Sequence, residues 1–95
     1  MNILQQLIKE ALDRDHTLLV YSEDINRPHY HGREANKIIE TIQARDEVNV
    51  LIRNGGGPDN TVGWLMILPG LAEGEQITDY SGAWIHEWHI SRGLV

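Results

Sequence analysis

The chain has 95 residues, enough for a single domain (1–95) with one core, and its lack of cysteine excludes disulfides and thiolate-based zinc or redox chemistry. Its formal charge of −6, with only eight Lys and Arg scattered along the chain, argues against direct nucleic-acid binding, which draws on clustered basic residues. Ile3, Leu4, Leu7 and Ile8 are interleaved with Gln5, Gln6, Lys9 and Glu10, which is neither a signal peptide nor a membrane span, so a cytoplasmic protein is expected.

In chain order, Ile3, Leu4, Leu7, Ile8, Ala11 and Leu12 recur at helical spacing and predict an amphipathic helix over 2–13. Thr17 to Tyr21 reads as a strand, and Arg27 to His31 as a second, placed at a sheet edge because Pro28 has no backbone donor. Gly32 is expected to open a helix running to about Ala44, with Ala35, Ile38, Ile39 and Ile42 on its apolar face. Val48, Val50 and Ile52 alternate with Asn49, Leu51 and Arg53, the mark of a strand with one buried face. The segment Asn54 to Asn60 reads as a flexible connection to the most apolar strand, Thr61 to Leu68, giving a hairpin of two central strands. Pro69, Gly70 and Gly74 predict a loop, and Ser81 is the expected N-cap of a last helix, Gly82 to Arg92, stopped by Gly93. The pattern predicts an α+β fold of order α-ββ-α-ββ-α, with helices packed on one face of a small antiparallel sheet.

Two histidine pairs stand out, His29 with His31 and His86 with His89. Residues two apart on a strand, or three apart on a helix, point the same way, so the four imidazoles form a tetrahedral zinc site if the fold unites them. The alternative is that the first pair lies on an exposed edge strand while the second flanks the tryptophans of the last helix. His86-Glu87-Trp88-His89 is not the metalloprotease signature, whose histidines are four apart. The Gly55 to Gly57 run leads into a strand without a nearby lysine, unlike a phosphate loop, and reads as a hairpin tip. No serine, lysine or carboxylate pair carries an activating motif, so no catalytic residue is expected.

The segments Asp46 to Arg53, Val62 to Leu68 and Glu75 to Ser81 resemble those of small acidic proteins encoded by bacteriophages and prophages. In those proteins a strand starting near Asp-Glu pairs with one containing Gly-Trp, and a glutamate-bearing loop leads to an Asp-Tyr-Ser or Asp-Tyr-Thr helix start. The glycine insertion at 55–57 and the four histidines depart from that pattern. The resemblance implies accessory work by binding and inhibiting host machinery, including defence systems and nucleic-acid enzymes.

The expected function is therefore a non-enzymatic module that binds a host protein, itself basic or nucleic-acid-binding, without cofactor. Its expected surface is Glu73, Glu75, Asp79, Tyr80, Trp84 and Trp88, where the densest carboxylates meet aromatic side chains at the entry to the last helix. The alternatives are a zinc protein using His29, His31, His86 and His89, and an oligomerising domain such as a homodimer.

Overall fold

A computed structural model describes residues 2–22, 27–55, 60–72 and 74–94. Three helices and five strands follow in the order α1 (Ile3–Asp13), β1 (His16–Tyr21), β2 (Tyr30–Gly32), α2 (Ala35–Gln43), β3 (Val48–Asn54), β4 (Thr61–Ile67), β5 (Ile77–Ser81) and α3 (Ala83–Ser91). The strands form one antiparallel sheet of spatial order β2-β1-β3-β4-β5. The α+β class and the interior positions of β3 and β4 agree with the sequence pattern, and β5 adds a fifth strand to the expected two hairpins. No helix among the described residues is long and apolar enough to cross a membrane.

Local chemistry explains most boundaries. Asn2 starts α1 with a reciprocal capping box: its Oδ1 accepts from Gln5 N at 2.8 Å, and Gln5 Oε1 accepts from Asn2 N at 3.2 Å. Gly32, expected to open the second helix, instead ends β2. The Tyr30 ring lies over it so closely that a Cβ there would meet the phenol oxygen at 2.6 Å, and that oxygen accepts from Glu34 N at 3.0 Å. The second strand is correspondingly shorter than Arg27 to His31, although His29 N still donates to Val20 O at 2.7 Å. The β3–β4 hairpin is closed by Asn54 N donating to Asn60 O at 2.8 Å; residues 56–59 of its connection lie outside the described residues.

The expected loop between β4 and the last helix contains β5, and Ser81 ends that strand while Gly82 takes the N-cap position. Thr78 is the odd residue of a bulge, because Met66 pairs Asp79 while Ile67 pairs Ile77.

All three helices cover one face of the sheet. Leu4, Leu7, Ile8 and Ala11 of α1, Ile38 and Ile42 of α2, and Ile85 and Trp88 of α3 join Leu18, Val20, Val48, Val50, Ile52, Leu65 and Ile67 in one buried cluster. Gly63 and Gly82 let α3 approach: a Cβ on Gly63 would collide with the Ile85 side chain, and one on Gly82 would lie 2.6 Å from Val62 O.

At Gly82 φ is 123°, a conformation that is nearly glycine's alone and costs other residues roughly 1–3 kcal/mol before any clash. Gly82→Ala is therefore expected to lower unfolding free energy by about 3 kcal/mol in urea melts, strain and clash together. Gly93→Ala, at φ 71° with open space around it, should cost only about 1–2 kcal/mol. Equal losses would refute the close approach at Gly82.

Candidate functional site

The helix-free face of the sheet is the residue set opposite the core. Because side chains alternate along a strand, the register places Leu19, Leu51 and Trp64 side by side across β1, β3 and β4, with Tyr21, Asn49 and Met66 in the next row. Leu19 and Tyr21 are 3% and 6% exposed, yet neither belongs to the core cluster under the helices. The sheet thus carries a second apolar layer that no helix of the described residues covers.

Within this layer, Tyr21, Asn49, Leu51, Arg53 and Trp64 enclose a shallow cleft of about 410 Å³ over the central strand. Trp64 forms one wall and Tyr21 the other, with Leu51 between. The Trp64 indole donates to Asn49 Oδ1 at 3.1 Å, which fixes the ring and leaves the Asn49 amide nitrogen without an acceptor among the described residues. Arg53 brings the cleft's positive charge. Its Nε is buried with no hydrogen-bond partner, and it takes part in neither of the ion pairs of the described residues, Arg14–Glu10 and Arg33–Asp15.

The surface expected at the entry to the last helix is divided by the structure. Asp79 pairs with Met66 and lies on the helix-free side, whereas Tyr80 pairs with Leu65 and faces the helices. Tyr80 stacks on His89 with ring centroids 4.0 Å apart, and its hydroxyl is 2.9 Å from His86 Nδ1. Trp88 is core, 6% exposed, with the Arg92 guanidinium 4.4 Å from its ring. Trp84 is half-buried beneath Arg14 at 4.6 Å. Glu75 is exposed in the preceding loop, and Glu73 lies outside the described residues. The aromatics therefore hold α3 onto the sheet, while Asp79 lies on the opposite side of it.

The histidine pairs sit at opposite edges. His29 bonds Ser22 Oγ at 2.7 Å and His31 is exposed on β2, whereas His86 and His89 are on α3, which packs over β4 and β5. Four strand spacings, about 19 Å, separate the edge strands, so the four imidazoles do not fit one zinc ion within a chain. His86 and His89 are further occupied, the latter donating from Nδ1 to Ile85 O at 2.8 Å. Among the described residues there is no group of three or more His, Asp or Glu disposed to hold a metal.

His16 is a fifth histidine with a distinct environment: 7% exposed, Nδ1 buried without a partner, ring 5.7 Å from that of Trp84. Burial holds its pKa below 6.5, reinforced by Arg14 and Arg33 and opposed by Asp15. In comparisons with known proteins the chain matches no family model, no curated protein and no solved structure.

The depressed His16 pKa has a definite sign in stability. The folded state disfavours the protonated ring, so stability is whole above pH 6.5 and declines as pH falls through that value and the unfolded chain takes up the proton. Thermal melts at pH 7.5 and 5.5 should show a loss at the lower pH that is smaller in His16→Gln; an identical pH dependence would remove His16 as its source. Because the two histidine pairs lie at opposite edges of the sheet, the melting temperature is expected to stay within about two degrees on adding chelator. A large loss reversed by zinc would overturn that expectation.

Proposed function

We propose that this domain is a protein-binding module whose contact surface is the helix-free face of the sheet. The observation that carries the reading is the second apolar layer, in which a row from Leu19 through Leu51 to Trp64 lies over the central strands with its indole already fixed by Asn49. Pre-ordered aromatic and aliphatic side chains lose little conformational freedom on association and are the usual anchors of interfaces. The net charge of −6 favours a partner with a basic rim around that centre. The resemblance to small acidic phage proteins adds a setting, an accessory protein that blocks a host protein by occupying its surface.

The test is capture from bacterial lysate by wild type and by variants on the two sides of the molecule. Leu51→Lys and Met66→Lys should each weaken retention of a specific host protein by about 30-fold, the loss of a hot-spot contact, with thermal melts close to wild type. Lys37→Ala, exposed on α2, should retain it. Retention insensitive to both lysines would remove this face as the binding surface, and a doubled solution mass abolished by them would assign it to a second copy of the chain.

A further inference from the structure

Resting on that reading, the chemistry of the cleft names what the centre of the partner must present. Arg53 is the second outward residue beyond Asn49 on β3, with Leu51 between them, so the central strand sets a cation, an aliphatic floor and an amide in a line. Among the described residues the cation is unpaired. Its Nε is buried without an acceptor, a condition that native proteins rarely leave unanswered, because an unsatisfied buried donor is costly and a charged one more so. Arg53 lines the cleft, and a carboxylate entering it suits the guanidinium best, since its planar group offers parallel N–H donors matched to two carboxylate oxygens. The Asn49 amide nitrogen supplies a neutral donor at the far end of the same cleft.

The walls constrain what bears the carboxylate. Tyr21 and Trp64 flank Leu51, so the group beside the acid must be apolar or aromatic to displace water from them. The apolar surface does not stop at the cleft: Met66, partly exposed, continues it beside Asn49. A free small acid would leave that extension uncovered, whereas a chain segment would cover it. The overall negative charge of the protein does not forbid an acidic contact, because charges beyond about 8 Å are screened at physiological salt and Arg53 lines the cleft itself.

We propose that the Arg53 cleft is a carboxylate-recognition site that takes an acidic side chain of the partner protein together with an adjacent apolar residue, seated between Tyr21 and Trp64. The acid is the interface's central charge and the basic rim its periphery.

The experiment uses the intact chain and two pairs of probes, followed by NMR shifts of the Arg53 Nε–H and Trp64 indole N–H and by Trp64-dependent fluorescence. Phenylacetate is compared with phenylacetamide, and the capped peptide acetyl-Leu-Glu-Phe-amide with acetyl-Leu-Gln-Phe-amide. Each acid should bind at least tenfold more tightly than its amide, the glutamate peptide more tightly than phenylacetate, and added salt should erode the difference. Arg53→Gln should abolish the acid preference without moving the melting temperature by more than a few degrees. If acids and amides bind alike, or nothing shifts at Arg53, the carboxylate site is overturned even where Leu51→Lys still abolishes protein capture. If phenylacetate binds with acid preference but the peptide no better, the site is one for small acids and the partner assignment falls. The acid–amide comparison needs no variant, so it decides the matter should Arg53→Gln fail to fold.

Discussion

The alternation along β3 is the constraint from which the remaining structure follows. Val48, Val50 and Ile52 are wholly buried under the helices, while Asn49, Leu51 and Arg53 build the opposite surface. A slip of one residue against β1 or β4 would exchange the two sets, placing a guanidinium and an amide in the core. Burial of such groups without partners costs more than the fold can offset, so the same pairings that fix the core fix the geometry of the cleft. Core and candidate site are two sides of one register.

That coupling explains why an apolar surface can persist on a small, acidic chain. A sheet with helices on one face ordinarily presents polar residues on the other. Here Leu19 and Tyr21 are nearly buried within the outer layer itself, and the wetter positions are taken by Trp64, Leu51 and Met66. Trp64 keeps its one polar atom satisfied through Asn49, which orients the ring along the sheet. The face is thus ordered before anything binds, and net charge opposes self-association through it.

Much of this fold was legible in the sequence. Helical spacing gave α1 nearly to the residue, alternation gave β3, and the apolar run gave β4. The strand β5 was hidden because glycines precede it and Ser81 looks like a helix cap, although Ile77, Thr78 and Tyr80 favour extended backbone. The site was far less visible. Arg53 reads as an ordinary solvated residue of an alternating strand, and only cross-strand neighbours show Trp64 beside Leu51 and, beyond it, a cation unpaired among the described residues. The histidine pairs had the opposite fate: local spacing made them suggestive, and sheet order, which sequence does not display, set them at opposite edges.

The aromatic groups of α3 then acquire a role different from direct contact with a partner. That helix lacks a clean apolar stripe, and it is held by Tyr80 stacked on His89, by the Arg14 cation over Trp84, and by Arg92 Nη1 donating to Gln6 Oε1 of α1 at 2.7 Å. The Tyr80–His89 stack joins the helix to β5, the strand that pairs with β4 at Trp64 opposite Ser81. A helix docked on one face thereby fixes the strand bearing the cleft wall on the other. Loosening α3 would act on the cleft by two routes, through the pairing of β5 with β4 and through the direct seat of Ile85 on Gly63, the residue before Trp64.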